Sequence, residues 1–203
     1  RQGLNSTSLQ IPGVLDDLYA AKAGVVALGP DFRNGQTTLR VWAPTARGLK
    51  VRLYADSSPG TMFATHPMTV DAASGIWSFT APSASVDGMF YLYEAQVFVR
   101  TSNRVETNVV TDPYSVSLAR NSTRSQIVSL GDPALQPRGW AKLRKPYLGA
   151  PEDMVLYELH VRDFSAADNT VPPGQAGTYA AFTPKRSHGM MHLATLGLPC
   201  VTH

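Results

Sequence analysis

From about Thr37 the apolar residues recur at every second position, in short bursts, until Asp112-Pro113-Tyr114 closes the region. Leu39 and Val41 alternate with Arg40 and Trp42, and Leu49, Val51 and Leu53 alternate with Lys50, Arg52 and Tyr54. Trp77 and Phe79 alternate with Ile76 and Ser78, and Tyr91, Tyr93, Ala95, Val97 and Val99 share one face of the longest run. Successive side chains of a strand point to opposite faces, so this period suits strands that each cover one side of a core. The bursts are separated by Ala43-Pro44, Ser58-Pro59-Gly60, Ser74-Gly75, Ala81-Pro82 and Asp87-Gly88, which are turn formers. The pattern predicts a small all-β sandwich of immunoglobulin-like type over residues 31–114.

The flanks have a different texture. Residues 1–30 read as a lead-in, in which Val14, Leu15, Leu18 and Tyr19 follow Pro12-Gly13 and predict a short amphipathic helix ending near Gly24. Residues 115–152 are aperiodic and read as a connector. Met154 to Arg162 is a nine-residue strand candidate whose partial alternation suits a strand covered on both faces. A loop with Pro172-Pro173-Gly174 follows, then a helix over about Ser187 to Leu196 with Gly197 at its expected C-cap, and Val201-Thr202 begins another apolar run. Strand, helix and the beginning of a strand make the opening of a βαβ unit, so residues 153–203 are expected to belong to a larger α/β domain that stops partway.

Composition narrows the function classes. With 43% apolar and 16% charged residues in 203, the chain is that of a folded protein. A net charge of +3 with no basic run gives no nucleic-acid footprint, and the densest group (Arg138, Lys142, Arg144, Lys145) reads as a solvated face. No apolar run approaches a membrane span, so no membrane partner is expected. The single cysteine, Cys200, cannot form an internal disulfide and reads as a small core residue. His188 and His192 stand at i, i+4, but Gly189 occupies the place of a zincin glutamate, so they read as surface or packing residues and no metal or cofactor is expected. Asn5-Ser6-Thr7 and Asn121-Ser122-Thr123 fit the glycosylation sequon.

Several ordered motifs carry a family resemblance. Leu39-Arg40-Val41-Trp42-Ala43-Pro44-Thr45-Ala46 is followed by Gly75-Ile76-Trp77, Tyr91-Leu92-Tyr93-Glu94 and Asp112-Pro113-Tyr114. Tyr157 to Ser165 then leads into Gly177-Thr178-Tyr179, Ala181-Phe182-Thr183 and Gly189-Met190-Met191-His192-Leu193. The first series resembles the starch-binding-type sandwich, the family 48 carbohydrate-binding-like module, of the pullulanase and limit-dextrinase branch of the α-amylase superfamily. The second resembles the first strand, loop and helix of that family's catalytic (β/α)8 barrel, and Ile11 to Tyr19 resembles the lead-in of plant-type limit dextrinases. The resemblance implies hydrolysis of α-1,6 branch points in limit dextrins and pullulan by a retaining pair of carboxylates. It also implies α-glucan as partner and, through the plant-type enzymes, a plastid location. Barrel enzymes hold their catalytic groups at the ends of later strands, so no catalytic residue is expected in this chain and no hydrolysis by it alone. Asp153, Glu158 and Asp163 read as structural carboxylates.

Trp42, Trp77 and Tyr91 are the candidate substrate-binding residues. Starch-binding relatives stack exposed aromatics on glucose and add a lysine. Here residues 55–60 hold no tryptophan, and Leu92 stands where that lysine would be. Trp42 and Trp77 both lie within strand patterns and read first as core residues, so the module is expected to bind starch weakly or not at all. An exposed apolar face over residues 153–203 is expected to be poorly protected or to self-associate. The rival reading is a non-catalytic glucan-binding or regulatory protein that keeps only the sandwich. A glycogen-branching or isoamylase-type relative is a third.

Overall fold

The structure, a computed structural model, describes residues 10–60, 62–144, 147–196 and 200–202. The chain divides into two compact units, the first ending at Gln136 and the second beginning at Pro137.

The first unit is a two-sheet β-sandwich. It opens with helix α1 (Pro12–Ala23), where Pro at the first helical position costs no hydrogen bond and Gly24 closes the end with its amide on the Ala20 carbonyl at 2.9 Å. The helix buries no residue fully. Strands β1 (Gly29–Arg33) and β2 (Gln36–Trp42) form a hairpin joined by Asn34-Gly35, both at positive φ (52° and 71°). That is the primed turn whose twist matches the flanking strands. Strands β3 (Gly48–Tyr54), β4 (Ala64–Pro67), β5 (Thr69–Asp71) and β6 (Ile76–Pro82) follow, then the single turn α2 (Ser83–Val86). β7 (Phe90–Val99), β8 (Arg104–Val110) and the two-residue β9 (Ser125–Gln126) complete the set. One sheet runs β1-β2-β6-β5, and the other runs β4-β3-β7-β8 with β9 on the free side of the start of β7.

The alternation read in the sequence maps onto this sandwich. Leu39, Val41, Leu49, Val51, Leu53, Tyr91 and Tyr93 point between the sheets and pack with Met68, Trp77, Val86 and Ile127. Burying a side chain of this size contributes about 1.5–3 kcal/mol, so these eleven residues carry most of the unit's cohesion. Ile127 and β9 lie beyond residue 114, in the stretch read as connector, yet Ile127 is fully buried in this core.

In the second unit, short 3-10 turns at Trp140–Lys142 and Pro151–Asp153 precede β10 (Leu156–Glu158), which pairs in parallel with β11 (Cys200–Thr202). Between them lie α3 (Val161–Ser165), a 3-10 turn at Tyr179–Phe182, and α4 (His188–Leu196). The strand expected from Met154 to Arg162 is therefore three residues long. His160 interrupts it, accepting the Asp163 amide at 3.4 Å, and Asp163 sits in the first turn of α3, where a carboxylate complements the helix N-terminus. The helix at about 187–196 forms as α4, while its expected cap Gly197 lies outside the described residues. Among the described residues no helix is long and apolar enough to cross a membrane.

Candidate functional site

The three candidate aromatics occupy different environments: Trp77 and Tyr91 are buried, while Trp42 is half-exposed and lines a shallow apolar depression with Tyr114 and helix α1. Trp77 is 8% exposed, lies in the core, and donates its indole N–H to the Ala43 carbonyl at 3.0 Å. Tyr91 is 0% exposed. Trp42 differs from the expected core position. It lies on the face of β2 opposite Leu39 and Val41, half-buried, with its indole N–H on the Ser74 carbonyl at 3.0 Å. Alternation assigns it to that face, but the turn at Ser74-Gly75 folds over it. Gly75 has φ +70°, and a Cβ there would meet Pro44 Cβ at 2.7 Å.

Tyr91 instead belongs to a buried polar cluster. Its hydroxyl donates to Asp112 Oδ2 at 2.7 Å, and the Tyr93 hydroxyl donates to the same oxygen at 3.2 Å. Asp112 Oδ1 accepts the Tyr114 amide at 2.8 Å, and the Asp112 amide donates to Ser125 Oγ at 2.9 Å. Burial pushes the Asp112 carboxyl above the usual carboxylate range, against the three hydrogen bonds that favour its charged form. Burial, then the charge of Asp112, pushes both phenols well above the ordinary tyrosine value. The cluster explains why an Asp-Pro-Tyr turn closes the sandwich. The carboxylate ties the turn to β7 and the Asp112 amide ties it to β9, and Gly29 leaves room for the turn, since a Cβ there would meet the Tyr114 carbonyl at 2.6 Å.

The surface that could meet a ligand lies around Leu92. Odd residues of β7 face the core, so Leu92 and Glu94 face outward. Glu94 bridges Lys50 at 3.1 Å and Arg52, both on β3, and the Arg52 hydrogen bond holds its carboxyl below the usual range. Beside Leu92 a cleft of about 580 Å³ opens between Ser57, Pro59 and the turn at 120–124. Its wall is set by Arg124, 9% exposed, whose guanidinium carbon sits 3.8 Å over the Tyr54 ring and whose Nη1 donates to the Asp56 carbonyl at 2.7 Å. The turn is held by the Ala119 amide on the Arg124 carbonyl at 2.8 Å and by Thr123 Oγ1 on the Arg120 carbonyl at 3.2 Å. Asn121 and Ser122 both take positive φ (59° and 55°), a conformation non-glycine residues seldom adopt in succession.

This lining offers hydroxyl, amide and guanidinium groups and no aromatic face. It can hydrogen-bond a polar ligand but cannot stack on a sugar ring. The resemblance to starch-binding modules singles out Leu92, but residues 119–126, noted only for the Asn121-Ser122-Thr123 sequon, do not read as part of the sandwich because two-residue strands and left-handed turns leave no period.

In the second unit, Ser165 Oγ accepts the Gly177 amide at 2.9 Å, and Asp168 Oδ2 accepts the Gly189 amide at 3.1 Å at the start of α4. His188 lies 3.8 Å from Asp168, and the His192 ring meets Tyr157 edge-on at 5.9 Å. Asp163 lies 3.2 Å from His160, and Asp153 Oδ2 accepts the Ala150 amide at 3.2 Å. Among the described residues no cluster of three metal-binding side chains exists.

Residues 24–115, which span most of this two-sheet sandwich, match the family model of carbohydrate-binding module 48 (isoamylase N-terminal domain). Similarity extends over nearly the whole chain. It is 42% identical over 204 residues to a pullulanase of Klebsiella pneumoniae, covering 98% of this chain and 18% of that protein. It is 37% identical over 202 residues to pullulanase 1, chloroplastic, of Arabidopsis thaliana, covering 98% of this chain and 20% of that protein. The solved structure of K. pneumoniae pullulanase complexed with maltotriose superposes with a TM-score of 0.82 at 43% identity, covering 91% of this chain and 18% of that one. Over nearly its whole length the chain is similar to pullulanases, and it spans about a fifth of the length of the relatives it matches.

Proposed function

We propose that this chain is the sandwich-bearing part of a starch-debranching glycoside hydrolase, one that cleaves α-1,6 branch points in limit dextrins or pullulan with retention. The observation that carries this reading is the 42% identity to a pullulanase across 98% of the chain, well outside the module at 24–115. A regulatory protein built on the sandwich alone has no reason to keep the remaining sequence, so the alternative is disfavoured. A retaining glycosidase needs two carboxylates about 5–5.5 Å apart across the scissile bond. We assign none of this chain's carboxylates to that pair. Asp153, Asp163 and Asp168 are engaged in local backbone or histidine contacts at turns and helix starts.

The residues from Pro137 onward fit the opening of a (β/α)8 barrel. The support is the parallel β10–β11 pair with α3 and α4 as its crossover, the repeating unit of such a barrel. Within this reading the lead-in occupies 1–30, the module 31–114, the connector 115–152, whose β9 and Ile127 complete the sandwich, and the barrel segment 153–203. Leu156 at 63% exposed and Met191 at 55% exposed are apolar surface of the kind a barrel buries against further strands or a second copy covers by self-association. An α-glucan is the partner, met weakly by the module itself because Trp77 and Tyr91 are buried and Trp42 is half-covered. A plastid location draws on the Arabidopsis relative, whereas the Klebsiella relative at similar identity is bacterial.

Incubating the chain with pullulan and assaying reducing ends, in parallel with calorimetric titration of maltoheptaose, tests this. The expected result is no hydrolysis and no binding at micromolar ligand. Turnover, or a micromolar dissociation constant, contradicts it.

A further inference from the structure

We infer that the cleft beside Leu92 takes a phosphorylated glucosyl unit, that is, a sugar phosphate monoester. The inference deepens the glucan-module reading and rests on it. Two arginines, Arg120 and Arg124, line this cleft of about 580 Å³, and no acidic residue does. Neither arginine has an ion-pair partner among the described residues. This contrasts with Arg33, Arg40 and Arg52, which all lie against Asp31 or Glu94. The one carboxylate on the adjoining loop, Asp56, accepts the Ser58 amide at 2.8 Å.

Arg124 is fixed by the Tyr54 ring and the Asp56 carbonyl at the cleft wall, while Arg120 is exposed on its rim and free to close over a ligand. A planar guanidinium donates two parallel hydrogen bonds to phosphate oxygens, and a pair of them favours an anion over a neutral hydroxyl. The rest of the lining fits the sugar. The Ser57 hydroxyl and the Asn121 amide have no side-chain partner among the described residues and suit ring hydroxyls, and Leu92 suits the C–H face. The volume exceeds what phosphate alone fills. The back-to-back left-handed residues Asn121 and Ser122 hold Arg120 and Thr123 on the same rim.

The test titrates the chain with glucose 6-phosphate, glucose and inorganic phosphate, following amide shifts by nuclear magnetic resonance. Glucose 6-phosphate is expected to bind on the order of tenfold more tightly than either other probe, as charge-assisted bonds to phosphate add to those of the sugar. The shifts should map to 57–59, 92 and 120–124. Arg120→Gln, an exposed change, should leave the melting temperature unaltered and remove the difference between glucose 6-phosphate and glucose. Equal binding of glucose and glucose 6-phosphate, phosphate binding as tightly as the sugar phosphate, or an unchanged preference in Arg120→Gln overturns the inference. Each of these would leave the debranching reading untouched, because that reading is tested on pullulan.

Discussion

Asp112 is the residue on which the first unit is most finely balanced. A buried carboxylate is costly to ionise, and here three donors offset that cost, from Tyr91, Tyr93 and the Tyr114 amide. Replacing it by asparagine puts an NH2 group against at least one of those donors, so Asp112→Asn is expected to destabilise the module by about 1–3 kcal/mol at neutral pH. Its pH dependence has a definite sign. The folded carboxyl titrates above the unfolded value of 3.8, so the folded state binds the proton more strongly. Its contribution to stability is complete below 3.8 and is lost as pH rises through the folded pKa. The gap in urea midpoint between wild type and Asp112→Asn should therefore widen as pH falls from 7 towards 4. A gap that narrows would contradict this account. Asp31 and Glu94, held low by Arg40 and Arg52, act in the opposite sense but are common to both proteins and cancel.

Among the elements, strands with a clean period were legible and irregular ones were not. Leu39-Val41, Leu49-Val51-Leu53 and Tyr91-Tyr93 announced their inward faces, and the structure places them there. β1 escaped notice although Asn34-Gly35, a strong hairpin signal, stands between it and β2, because Gly29 to Arg33 alternates poorly. β4, β5 and β9 span four, three and two residues and are too short to show a period. The overlong strand at 154–162 had a different cause. Tyr157-Glu158-Leu159-His160-Val161 has strand propensity throughout, and only the cap chemistry of His160 with Asp163 divides it. The cleft was half legible for a related reason, since Leu92 was singled out by the resemblance while Arg124 reaches the cleft only through tertiary packing on Tyr54. These differences carry a prediction for hydrogen exchange. Amides of β3 and β7, central in their sheet and packed on the core, should exchange slowest, and those of β10 and α4 faster, because α4 buries no residue fully. Slow exchange of α4 equal to that of β7, in a monomer, would contradict the expectation that its apolar surface lacks a cover.

For the whole molecule, the proposed debranching reading assigns no cleavage chemistry to this chain's own residues. The sandwich has a complete core and a polar cleft whose lining holds no aromatic side chain, and no paired catalytic carboxylates are assigned in either unit. The most direct measurement is a replacement. The region of K. pneumoniae pullulanase that this chain matches at 42% identity is exchanged for this sequence, and pullulan hydrolysis is assayed by reducing-end release. The account predicts a folded chimera that still debranches, with activity within about an order of magnitude of the parent. A chimera that folds, binds its substrate and fails to hydrolyse pullulan would contradict it.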